Sequence, residues 1–121
     1  MKKTLLLIKK GFESSTTRTP EYLEFHKTFT TEFTDLLHSI GATFVEVKHP
    51  SHFDVFGFFT DKYLQIWYFS ISDLRIETNR IVVRRAKSYH DYVGENNNFV
   101  DFNDGLKEGI VKLIESHAPH S

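Results

Sequence analysis

The densest run of chemistry-bearing residues lies between positions 75 and 98. Arg75, Arg80, Arg84, Arg85 and Lys87 fall within thirteen residues, and Ser88-Tyr89-His90-Asp91-Tyr92 follows directly. Gly94 and the run Asn96 to Asn98, with Asn97 at its centre, complete the segment. An arginine offers a planar fork that grips phosphate or carboxylate, while tyrosine and asparagine add directed hydrogen bonds. A loop that leaves a strand and leads into a helix is a natural place for such a site. Arg75, Arg84, Arg85, Lys87, Tyr89, Tyr92 and Asn97 are therefore the candidate binding residues. The plainer alternative is that Arg84 and Arg85 pair with Asp73, Glu77 or Glu46 at the rim of a sheet.

The histidines supply a second set of candidates. His49 and His52 flank Pro50. Only a turn that folds them together, with Asp54, would make a nitrogen-and-oxygen metal site. No HExxH pattern accompanies them, so no metal or other cofactor is expected. His52 with Asp91, or with Ser72 and Asp73, is an acid–base combination. His52, Asp73 and Asp91 are thus the candidate catalytic groups. A small phosphoesterase or nucleotide-binding enzyme would need them to converge with Arg84 in one pocket.

The elements that must position these residues follow from periodicity. Thr19-Pro20-Glu21 reads as a helix start: a capping threonine, a proline at the first helical position and an acid at the positive end of the dipole. Tyr22, Phe25, Phe29, Phe33, Leu36, Leu37 and Ile40 recur at spacings of three and four, the signature of one buried stripe. Gly41 ends the helix. ATFVEVKH then alternates as a half-buried strand does, and FDVFGFFT and YLQIWYFSIS form a hairpin around Asp61-Lys62. Arg80 to Lys87 is a fourth strand, and SYHDYVGENNN a long loop. A second amphipathic helix carries Leu106, Ile110, Leu113 and Ile114, with Phe102 at its start and Asn103 or Asp104 as its cap. Residues 1–18 form an N-terminal arm, strand or helix, and 117–121 a frayed tail.

The expectation is a single α+β domain, 1–121. It is a two-layer sandwich, a four-stranded antiparallel meander with an N-terminal and a C-terminal helix on one face. The third strand is apolar on both faces: Trp67, Phe69 and Ile71 on one, Leu64, Ile66 and Tyr68 on the other. A strand of that kind is normally buried on both sides. Two helices cover one side only. A dimer partner, the N-terminal segment or a ligand should cover the other.

Composition narrows the classes. Hydrophobic residues are 40% and charged residues 26% of the 121, as in an ordinary globular domain. Cysteine is absent, which excludes disulfides and thiol chemistry. The longest apolar run, Leu5 to Ile8, is too short for a membrane span or a secretory signal, so a cytoplasmic protein with no membrane partner is expected. A net charge of −1 offers no general attraction for nucleic acid. Phenylalanine, however, occurs twelve times, and an exposed aromatic sheet stacks the bases of single strands.

The segments GFESSTTRTPE, HFDVFGFF, YFSISDLR and RRAKSYHDYVGENNNFV together resemble a family of small uncharacterised proteins carried by bacterial phages and conjugative elements. The resemblance runs from about Gly11 to Val100, with YFSISDLR and RRAKSYHDY its most specific parts. It implies a cytoplasmic accessory protein of a mobile element, and the first expectation is a binding protein with no catalysis of its own. In that setting the partner is a host protein or nucleoprotein complex, such as a defence or nucleic-acid-processing machine. Direct binding of single-stranded nucleic acid and a small phosphate-directed enzyme are the competing expectations. A homodimer closing the second sheet face is a further one.

Overall fold

The computed structural model describes residues 1–10, 20–48, 55–71 and 80–119. Three helices and five strands follow in the order α1 (Lys2–Lys10), α2 (Pro20–Ser39), β1 (Phe44–Lys48), β2 (Val55–Thr60), β3 (Ile66–Ile71), β4 (Arg80–Ala86), β5 (Asn98–Asp101) and α3 (Leu106–Ser116). The fold is α+β, with every neighbouring strand pair antiparallel in the sheet order β1-β2-β3-β4-β5.

The phenylalanine stripe makes α2 the spine of the core. Tyr22, Phe25, Phe29, Phe33 and Leu37 are all fully buried. Burial of each such side chain contributes about 1.5–3 kcal/mol, which offsets the mediocre helix propensity of the four threonines in between. The rings of Phe29 and Phe33 stack at 5.0 Å, and Phe33 meets the edge of Phe69 from the sheet at 4.7 Å. Gly41 ends the helix at φ +88°. Its N–H donates to the His38 carbonyl at 3.1 Å and the Ala42 N–H to the Leu37 carbonyl at 3.0 Å, the Schellman arrangement that only a left-handed residue completes easily.

The N-terminal segment is a helix. α1 has no acid in its own first turn. Glu32 of α2 supplies it, accepting the Thr4 N–H at 2.7 Å, the Thr4 hydroxyl at 2.6 Å and the Lys3 N–H at 3.3 Å. Burial pulls the Glu32 carboxyl upward, but those donors outweigh it and leave its pKa below the ordinary value. α1 packs on α2, so it does not cover the sheet's second face.

Register divides the sheet cleanly. Phe59 lies opposite Trp67, Phe69 opposite Val83, and these side chains share a first face. α2 reaches that face at Phe69, and the end of α3 reaches it where His117 stands edge-on to Trp67 at 5.3 Å. Phe56, Phe58, Tyr68, Arg84 and Phe99 belong to the second face by the same alternation.

Four expectations need correction. Among the described residues the sheet has five strands, because Asn98–Asp101 adds to the outer side of β4. The described residues form three helices. Strand β3 starts at Ile66: Tyr63 to Gln65 form a turn in which Leu64 takes φ +64°. Asp61 holds that turn, its Oδ1 accepting the N–H groups of Tyr63 at 2.8 Å and Gln65 at 2.9 Å and its Oδ2 the Trp67 indole N–H at 2.8 Å. Finally, α3 is capped at Gly105 without a side-chain bond from Asn103 or Asp104; Asn103 Oδ1 instead accepts the Gly105 N–H at 2.8 Å. The expected cap at Thr19 lies outside the described residues.

Candidate binding surface

Residues 87–97 connect β4 to β5 by passing over the second face as a strap. The apolar second face is thereby closed from within the chain. Tyr89 and Tyr92, three residues apart, lay their rings on it. Tyr89 contacts Phe44 at 4.6 Å and Phe58 at 6.2 Å, and its hydroxyl bonds the Thr60 hydroxyl. Tyr92 stands edge-on to Phe58 at 5.5 Å, Phe56 at 6.0 Å and Tyr68 at 6.1 Å. Such aromatic contacts are each worth about 0.5–1.5 kcal/mol beyond area burial.

Asp91 latches the strap's backbone. Its Oδ2 accepts the Lys87 N–H at 2.9 Å, and its Oδ1 accepts the N–H groups of Gly94 at 2.8 Å and Val93 at 3.1 Å. The Lys87 and Gly94 amides, aided by Val93 and the Arg84 charge, hold its carboxyl below the usual carboxylate range. A carboxylate filled in this way is a structural clamp; a general acid near neutral pH needs the opposite shift.

Arg84 is the second fastener. Its exposure is only 5%. The guanidinium lies over the Tyr68 ring, its cross-strand neighbour, at 4.0 Å, and Nε donates to the Val93 carbonyl at 3.1 Å. Gly94 closes against it at φ +60°, where an added Cβ would sit 2.4 Å from Arg84 Nε. Arg85, on the other face, lies over Trp67 at 5.5 Å and donates from Nε to the Ile66 carbonyl at 3.4 Å. Neither arginine has an ion pair among the described residues; Glu46 is taken by Lys48 at 3.0 Å. That contact, ahead of the Tyr92 hydroxyl, raises the Lys48 pKa.

The structure thus gathers Arg84, Tyr89, Asp91 and Tyr92 into one assembly, with Lys87 exposed at its start and Asn97 exposed at its end. Arg85 is separated from them by the sheet. Arg75, His52 and Asp73 lie outside the described residues, as do His49, Asp54, Ser72 and Glu77. Among the described residues no cluster of histidines and carboxylates is fit to hold a metal ion. No described helix is long and apolar enough to cross a membrane.

What remains outward is the strap's tip and the rim beside it. Val93 is 87% exposed and Tyr92 50%. Phe99 on β5 is 56% exposed, with the Arg80 guanidinium 4.8 Å from its ring centre. Val93, Phe44 and Phe99 were not among the sequence candidates. A valine between Tyr92 and Gly94 carries no signal of its own until the latch around it is known.

Compared with protein-family models, curated proteins and solved structures, the chain matches none.

Proposed function

We propose that this protein is a binding module without chemistry of its own, and that it recognises a folded protein partner through the tip of the strap. Tyr92 and Val93 are the apolar anchors, with Lys87 and His90 at their flank. The observation that carries the reading is the pairing of exposure with fixation. A large apolar side chain at 87% exposure sits on backbone held by the Asp91 carboxylate and the Arg84 guanidinium. Ordering an interface on binding costs free energy, and a loop already held in one shape avoids that cost. Half-exposed tyrosines are favoured interface anchors. The partner class is a host protein or nucleoprotein complex met by an accessory protein of a mobile element, such as a defence complex to be inhibited.

Charge supports a protein partner over nucleic acid. The second face and strap carry Lys48, Arg80, Arg84 and Lys87 against Glu46, Asp91, Glu95 and Asp101, a balanced set. Of the cations, Arg84 is buried and Lys48 is paired. A single-strand platform needs a basic groove along the backbone.

The experiment is affinity purification of the tagged chain from bacterial cells that carry the gene, beside Val93→Glu and Tyr92→Ser variants. Circular dichroism and Trp67 fluorescence should show both variants folded. The expected result is a stoichiometric protein partner that both variants lose. Retention of the partner by both refutes the tip as the contact. A partner that enzymatic removal of nucleic acid releases refutes direct protein recognition.

A further inference from the structure

The second outward feature lies on the other side of the β4–β5 connection. β5 is the last strand of the sheet among the described residues, and none of them forms a strand along its outer edge. Between that edge and α3 runs an open groove of about 760 Å³. One wall is Asn97 to Asp101. The other is a single stripe of α3: Gly105, Gly109, Lys112, Leu113 and Ser116. Gly105, Gly109, Lys112 and Ser116 follow at spacings of four, three and four, with Leu113 beside Lys112, and they flank the buried stripe Leu106, Ile110, Ile114.

Three properties make this groove a strand-docking site rather than a gap in packing. First, an edge strand presents unpaired N–H and C=O groups along its outer side, a template for one more strand. Second, the helix wall is low where it begins. Gly109 must lack a side chain, because its Cβ would meet Val100 Cγ1 at 2.6 Å. A Cβ on Gly105 would press on Asn103 Oδ1 at 3.2 Å, so the wall carries no side chain there either. Third, the groove carries a charge signature. Lys112 has no ion pair among the described residues, and the remaining helix wall is neutral. The one carboxylate of the strand, Asp101, shares the opposite sheet face with Phe99, because register alternates along β5.

We infer that this groove binds an extended, acid-bearing segment of a partner protein by strand addition to β5. The added strand's backbone bonds to the free edge. One side chain on the α3 side carries a carboxylate to Lys112, and the next on that side packs on Leu113 and Val100. On the other side an apolar residue covers Phe99. Strand addition draws affinity from the main chain and specificity from alternate side chains. Four edge residues correspond to about 14 Å of extended chain. The inference does not depend on the strap tip, and the two surfaces are tested separately.

The test is a display library of random twelve-residue peptides selected on the full chain, with enriched peptides titrated into isotope-labelled protein. The expected sequences alternate, with Asp or Glu two positions from an apolar residue. They should shift the amides of Asn98 to Asp101 and of Lys112 to Ser116. Lys112→Glu should weaken them about fivefold, the scale of an exposed ion pair. Val93→Glu should leave them unchanged. Failure to enrich acidic peptides, shifts that map elsewhere, or equal affinity for Lys112→Glu each overturns the assignment. So does a concentration-dependent dimer that shifts the same amides without peptide, since the occupant is then a second copy.

Discussion

Gly94→Ala should open the strap while leaving the rest of the fold standing. Two costs add. Alanine at φ +60° meets the left-handed penalty of about 1–2 kcal/mol. Its Cβ would also lie 2.4 Å from Arg84 Nε, 2.9 Å from Arg84 Cδ and 2.9 Å from the Arg85 carbonyl oxygen. The Arg84 side chain can retreat, but the Arg85 carbonyl belongs to the β4 backbone and cannot. Overpacking of this kind adds about 1–2 kcal/mol at the lower end of its range. The sum, about 2–4 kcal/mol, corresponds to a roughly 30- to 700-fold loss of amide protection in residues 89–95. Hydrogen exchange by NMR reads the strap, and urea unfolding followed by the single tryptophan, Trp67, reads the opposite face. Gly41→Ala is the control. It has a similar backbone penalty at φ +88° at the end of α2, where an added Cβ would meet Lys62 Cβ at 3.0 Å rather than Arg84 or the Arg85 carbonyl. It should lower global stability by about 1–2 kcal/mol without selective loss in the strap. Strap protection in Gly94→Ala within twofold of the parent would refute the latch.

Asp61→Asn leaves one acceptor oxygen where two are used, so either the buried Trp67 indole N–H or the turn amides lose their partner. The unfolding free energy from urea titration should fall by about 1–3 kcal/mol, and a Trp67→Phe background should shrink that cost; an unchanged midpoint would show the indole bond to be idle. Gly57→Ala places a Cβ 1.9 Å from the Glu46 carbonyl oxygen and 2.8 Å from Phe69 Cζ, so β1 cannot keep its register; a melting temperature within a few degrees of the parent would contradict the close approach. Acid should loosen the strap before it unfolds the core. The Asp91 pKa is depressed in the folded state, so its latch is fully present above the ordinary carboxylate value of about 3.9 and is lost as pH falls through the lower folded value. Strap amide protection should therefore be flat from pH 5 to 8 and drop below about pH 4, and Asp91→Asn should abolish the step; a step at neutral pH would point to a different group.

The elements with a long period were legible in the sequence. Five fully buried residues at helical spacing define α2, and Gly41 marks its end. β2, β3 and β4 run for six or seven residues, enough to separate Phe58 from Phe59, Tyr68 from Trp67 and Arg84 from Arg85, while the register decides that Phe58, Tyr68 and Arg84 share a face. β5 was not legible, because four residues with two apolar ones do not establish a period. α1 was ambiguous for a different reason: the acid that caps it is Glu32, 28 positions beyond Thr4. The second face taught the most. The apolar pattern of β3 required a cover, and the loop 88–97 is polar enough to read as solvated. Its two tyrosines and one aspartate do the covering, and only the tertiary register of Tyr89 on Thr60 and Tyr92 on Phe58 makes that visible.

The fate of Arg84 decides how binding should respond to salt. Composition alone makes the β4 arginines look like phosphate contacts. Here one is consumed by Tyr68 and the Val93 carbonyl, and the other faces away on Trp67. Lys48 is neutralised by Glu46. On the second face and strap, that leaves Lys87 and the Arg80 above Phe99 as cations able to release counterions. A single-stranded nucleic acid held by two such contacts would show a slope of log affinity against log salt of about −1.4, and a protein docked on Tyr92 and Val93 a slope near zero. Affinity for the purified partner should therefore change less than about threefold between 50 and 500 mM salt. A slope steeper than about −2 would require phosphate contacts that the described residues of this surface do not possess, and would move the binding site to another part of the molecule.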